Sequence, residues 1–179
     1  MRKQKNFTKW ILSALFLALS FVMPFLTGQI PKIGAMLCPL HIPVLLCGFI
    51  CGWPYGLAVG FIAPLFRSLT LGMPPFFPTA VCMAFELSAY GLITGLLHEK
   101  LPKKKGFIYC SLLSAMLVGR LVWGFAMYIC LGACGDTFTF AAFLAGAVVN
   151  ALPGIVVQLV LIPILVVFFD RQKAFPSQK

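Results

Sequence analysis

Apolar residues in this chain come in long runs, separated by short stretches where glycine, proline and lysine collect. The first run, residues 7–27, has the length of a spanning helix, since about 20 apolar residues cross a bilayer core of ~30 Å. The basic residues within positions 1–9 (Arg2, Lys3, Lys5, Lys9) would also suit a signal peptide. Its apolar part is long for a signal core, however, and no A-x-A cleavage site follows, so the run is read as a retained first helix. A loop over residues 28–39 carries Gly28, Pro31, Gly34 and Pro39 as breakers. A second helix over residues 40–51 is short for a full span. It ends at Gly52-Trp53-Pro54-Tyr55, which with Gly56 reads as a tight turn.

The third helix is expected over residues 55–70, before Gly72, Pro74, Pro75 and Pro78 interrupt the chain. The fourth covers residues 78–99 and the fifth residues 107–131. A turn with Gly132, Gly135 and Asp136 leads to the sixth, residues 139–169, where Pro153 and Pro163 predict a tilt or kink. The pattern predicts an all-α integral membrane protein of six transmembrane helices. One domain covers residues 1–179, with residues 1–6 and 171–179 as tails and no internal repeat.

Composition agrees: 61% of the 179 residues are hydrophobic and 10% charged, against about 25% charged in soluble domains. The net charge of +10 raises nucleic acid as a partner, but the distribution argues against it. Eleven of the 14 basic residues cluster ahead of the first helix, around Lys100, Lys103, Lys104 and Lys105, or in the tail with Arg171, Lys173 and Lys179. With six crossings these clusters share one face. The positive-inside rule then makes both tails and the Lys-rich turn cytoplasmic, against anionic membrane lipids.

The seven cysteines form no C-x-x-C, and His41 and His98 lie far from any cysteine pair in sequence, so no metal site is expected. The cysteines read as small apolar core residues, with a disulfide from Cys38 to Cys130 or Cys134 as the alternative.

Three ionisable side chains fall inside apolar runs: Arg67, Glu86 and Arg120. Each costs several kcal/mol in lipid unless paired or hydrated. Glu86 can pair with Arg67 or with Arg120, which locks the bundle and leaves one arginine for a ligand, for example an anion. Arg120, Trp123, Gly124 and Met127 share one helical stripe. Glu86 and Tyr90 share another, and Gly146, Asn150 and Gly154 a third. Polar, aromatic and small residues on facing stripes suit a ligand pocket. His41, at the outer start of the second helix, reads as an interfacial residue. No catalytic constellation, Walker motif, H-E-x-x-H motif or cofactor signature is present. Ala14 and Ala18, in the stretch Ala-Leu-Phe-Leu-Ala, would allow close approach of a partner helix.

Taken with the six-helix layout and the Ala14-x-x-x-Ala18 motif, two long stretches carry a family resemblance. They are PLHIPVLLCGFICGWPYGLAVG from Pro39 and GMPPFFPTAVCMAFELSAYGLITGLL from Gly72. The chain resembles the substrate-binding S component of energy-coupling factor (ECF) transporters, bacterial vitamin importers, over roughly residues 8–170. The resemblance implies a non-enzymatic subunit of the bacterial plasma membrane that binds a small water-soluble vitamin or vitamin precursor tightly near the outer face. A transmembrane T subunit and two ATPase subunits would then topple it to release the ligand inside. The pocket would lie among the fourth to sixth helices, capped by residues 28–37. It would use Glu86, Tyr90, Arg120, Trp123, Met127 and Asn150, with Arg67, Phe76 and Phe77 nearer the mouth, and Ala14 and Ala18 as the docking surface. No signature selects one vitamin. The competing reading is a membrane-embedded enzyme or assembly factor using Glu86, Arg120 and His41.

Overall fold

The computed structural model describes residues 2–26, 38–102 and 105–171, and among these residues it contains helices and turns but no strand. Helix α1 spans Arg2–Leu26, α2 His41–Cys51, α3 Trp53–Leu71, α4 Val81–Lys100 and α5 Lys105–Ala133. The last run is divided into a short α6, Phe140–Leu144, and a longer α7, Leu152–Arg171. Five segments are long and apolar enough to cross a membrane: residues 7–25, 53–71, 76–100, 106–133 and 140–170. The protein is a multi-pass membrane protein.

The expected second membrane helix takes a different form. Helix α2 has 11 residues, every one of them buried, and is only about 16 Å long at 1.5 Å per residue. A helix that is apolar on all sides belongs inside a bundle, and α2 is enclosed by α1, α3, α4 and α7. Gly52 separates it from α3, which carries Pro54 in its first turn and ends at Gly72 in the left-handed conformation, with the Gly72 N–H on the Ser68 carbonyl at 2.9 Å. Between α3 and α4, Phe76–Ala80 forms a single wide π turn in which Phe77 is extended.

The expected sixth helix is broken. Proline at 153 has no N–H for the Val149 carbonyl, and its ring crowds that carbonyl. The chain answers with a π turn over Ala145–Val149, closed by the Asn150 N–H on the Ala145 carbonyl at 2.9 Å. Pro163 is absorbed within α7.

Contacts along the bundle order its two ends. At one end Trp10 of α1 meets Tyr55 of α3 edge-on at 5.5 Å, and Phe49 of α2 meets His98 of α4 at 5.2 Å. There His98, Leu101, Pro102, Phe107, Ile108, Ser111 and Asp170 line a common cleft, so the end of α4, the start of α5 and the end of α7 lie together. At the other end Phe21 of α1 meets Phe66 of α3, and His41 at the start of α2 reaches Glu86 near the start of α4. Helices α1, α3 and α5 therefore run one way and α2, α4 and α7 the other. The start of α1, the turn between α4 and α5 and the end of α7, where the basic residues cluster, share one end.

The centre of the bundle is held by backbone contact. Gly48 of α2, Gly56 of α3 and Gly91 of α4 meet at one crossing, where any β-carbon would run into main-chain atoms of a neighbouring helix. Gly60 lies against the Leu87 carbonyl and Gly95 against the Trp53 backbone, which extends the seam between α3 and α4. Small residues substitute for hydrophobic exclusion as the means of close packing in lipid. Large apolar side chains face outward instead, as with Leu113, Leu117, Leu121 and Phe125 on α5 and Val156, Val160, Ile164 and Phe168 on α7. Such stripes would be a liability in water and suit hydrocarbon.

Candidate functional site

The chain turns into α2 through Cys38, which adopts a positive φ of 47° and accepts the His41 N–H on its carbonyl at 3.0 Å. This turn sets the His41 side chain inside the bundle, 2% exposed. Glu86, on the second turn of α4, is equally buried. Its Oε1 accepts from Arg120 Nη1 of α5 at 2.9 Å and lies 3.4 Å from His41 Nε2. Nη2 of Arg120 points to Cys38 Sγ at 3.7 Å. One turn below Glu86, Tyr90 packs edge-on against the His41 ring at 5.0 Å, and its hydroxyl lies beside the Arg120 guanidinium. Gly119 makes this possible, because a β-carbon there would meet the Tyr90 ring at 2.7 Å. Helix α5 can thus bring Arg120 close to α4.

Of the two pairings open to Glu86, the structure adopts the one with Arg120. Arg67 lies elsewhere: it is 5% exposed, donates from Nη1 to the Phe21 carbonyl of α1 at 3.0 Å, and stacks over the Phe25 ring at 5.6 Å. Its charge is directed to α1, away from the Glu86 cluster. Within that cluster two buried atoms lack a partner, His41 Nδ1 and Arg120 Nε.

Trp123, one turn along α5 from Arg120, belongs to an adjoining aromatic group. It meets Phe138 edge-on at 6.0 Å and stacks with Phe143 at 6.3 Å. Gly124 receives the Phe143 ring and Gly146 the Trp123 ring, so the glycines of both stripes serve close packing. Met127 is half-buried one turn further on. Asn150 is exposed after the π turn, and Phe76 and Phe77 are each 49% exposed. The structure brings Glu86, Tyr90 and Arg120 together with His41 and Cys38, places Trp123 alongside, and directs Arg67 to α1. The expected capping loop, residues 28–37, lies outside the described residues; Cys38, which directly follows it, touches Arg120.

Cys38 and Gly119 were not among the expected site residues. Gly119 had a visible signal, a glycine immediately before an intramembrane arginine. Cys38 had none, since a cysteine ahead of a proline fits many turns. No disulfide joins Cys38 to Cys130 or Cys134. Among the described residues no three His, Cys, Asp or Glu side chains group as metal ligands do.

Ala14 and Ala18 are exposed on α1, on the same face as Ile11, Leu15, Val22 and Phe25. The opposite face buries Phe16 with Ser13 and Ser20, whose hydroxyls return to the Trp10 and Phe16 carbonyls at 2.8 Å.

The described residues form a multi-pass helical bundle with a buried Glu86–Arg120–His41 cluster. The chain belongs to the family of ECF transporter substrate-specific components, whose sequence profile matches residues 8–166. Members of that family are transport subunits, not enzymes. No curated protein and no solved structure matches the chain.

Proposed function

We propose that this protein captures a small water-soluble vitamin or vitamin precursor at the outer face of a bacterial plasma membrane. It then delivers the ligand inward with a transmembrane T subunit and two ATPase subunits. The observation that carries this reading is the Glu86–Arg120–His41 cluster, buried at the end of the bundle opposite the basic turns. If the basic end is cytoplasmic, as the positive-inside rule requires, both tails are inside and the cluster lies toward the outer face. Glu86, Tyr90 and Arg120 would contact the ligand directly. Trp123, Met127 and Asn150 would extend the pocket along α5 and the π turn, with Phe77 and Arg67 toward its mouth. No resident cofactor is needed, since ATP hydrolysis belongs to the partner subunits.

Mass spectrometry of the denatured protein, purified from cells grown in rich medium, is expected to release one vitamin-like compound at close to one per chain. Its absence across several rich media, with no thermal shift by any vitamin, would refute the reading. The exposed Ala14–Ala18 face of α1 would be where the T subunit packs. Ala14→Trp with Ala18→Trp is expected to leave ligand binding intact while abolishing ATP-driven uptake by the reconstituted transporter. Uptake at the parent rate would remove α1 as the docking helix.

A further inference from the structure

The two unpartnered atoms of the cluster differ in polarity, and this bears on what the site holds. His41 Nε2 faces a carboxylate oxygen of Glu86, and the tautomer in which Nε2 donates to that oxygen leaves Nδ1 as an acceptor. Arg120 Nε carries a proton and can only donate. Both atoms are buried, and leaving a buried polar atom unmatched is unfavourable. They belong to side chains that meet at the same Glu86 oxygen, since Nη1 of Arg120 and Nε2 of His41 both contact Oε1. The charges of Glu86 and Arg120 offset one another, and Arg67 is directed to α1. The cluster therefore offers one acceptor and one donor, on two side chains that converge on Glu86, with no spare positive charge.

Building on the transport reading above, we infer that the ligand is anchored here by an uncharged group that both donates and accepts hydrogen bonds. A carboxamide, a ureido group or a lactam edge meets that description. A carboxylate does not: it has no proton for Nδ1 and would sit beside the Glu86 carboxylate. Arg120, with 15% of its side chain exposed against 3% for His41 and 2% for Glu86, is the member of the cluster nearest the surface.

The test uses the full chain in detergent with probes that differ only at this group: nicotinamide with nicotinate, biotin amide with biotin, and pantothenamide with pantothenate. Riboflavin is added for its lactam–imide edge. Binding is measured by titration calorimetry. A member with the donor–acceptor group is expected to bind, and its carboxylate counterpart to bind at least about tenfold more weakly. Arg120→Lys keeps the charge for Glu86 but removes the Nε donor. His41→Phe keeps the ring but removes the acceptor. Each is expected to weaken the active probe by about 10–100-fold, and His41→Gln, which restores an acceptor, to recover part of that loss. A carboxylate probe that binds better than its amide overturns the inference and leaves the transport reading standing. So does an active probe whose affinity survives both substitutions, since the two atoms would then be satisfied by water. If no probe binds and no compound co-purifies from rich medium, the transport reading fails and this inference with it.

Discussion

Gly91→Val is expected to abolish accumulation of folded protein. Any β-carbon at position 91 meets the carbonyl, carbonyl carbon and Cα of Gly56 on α3. The obstruction is main chain, so no rotamer change relieves it. The neighbours cannot yield separately either, because Gly56 lies against Gly48 of α2 and Gly48 against the Gly91 carbonyl. Relief requires moving α3 away from α4, which also loosens the contacts of Gly60 with Leu87 and of Gly95 with Trp53. Overpacking at an ordinary core position costs about 1–3 kcal/mol. A wedge between three backbones is expected to exceed that range, because van der Waals contact is what associates helices in lipid. Gly132 provides the control: it lies in α5 with open space around it, and Gly132→Val should elute and melt as the parent does. The measurement is the monodisperse fraction in detergent, followed by thermal unfolding monitored by tryptophan fluorescence. A Gly91→Val protein that matches the parent in both would show that the seam is not as tight as these contacts require.

That seam was the least legible part of the fold. Gly52, Gly56 and Gly72 read from sequence as turn markers, and Gly52 and Gly72 do adopt positive φ. Gly56 instead lies in the first turns of α3, buried against α2 and α4. Nothing local distinguishes the two uses, because the close approach to α4 depends on Gly91, 35 positions away. The long helices were legible because each must bury its own backbone hydrogen bonds over a bilayer's thickness, which leaves an unbroken apolar run. Helix α2 was legible as a short helix, but its enclosure on every side is a property of its neighbours. The break before α7 was half legible: Pro153 signalled a kink, and the structure resolves it as a π turn over the preceding residues.

The site shows the same division. One intramembrane acid and two arginines restricted the ion pair to two choices, and Arg120 was already on a stripe with aromatic and small residues. What excluded Arg67 is that α3 presents it to α1, where the Phe21 carbonyl accepts a hydrogen bond from its guanidinium. His41 was expected at the interface, and beside Glu86 and Arg120 only in the competing enzyme reading; it lies 45 residues from Glu86 and reaches it because α2 and α4 run parallel.

Glu86→Gln is expected to destabilise the protein by about 3–5 kcal/mol, the usual cost of removing one partner of a buried ion pair. The amide retains an oxygen for Arg120, but the guanidinium charge is then uncompensated in a low-dielectric interior. Removing both partners should cost far less, because well-packed apolar replacements of buried pairs are often neutral or better. Glu86→Leu combined with Arg120→Met should therefore melt close to the parent, well above either single variant. Arg120→Met alone should be as damaging as Glu86→Gln, since it leaves the carboxylate with only His41 at 3.4 Å. The double variant also separates stability from binding. If the pair is retained for structure alone, a stable double variant will still bind its ligand; if the pair is retained for the ligand, it will fold and bind nothing. The second outcome is expected. A bundle that can be stabilised equally well without charge has no structural reason to keep Glu86, Arg120 and an unmatched His41 atom at the end opposite its basic residues. A double variant that melts no higher than Glu86→Gln would show that the pair itself holds α4 to α5.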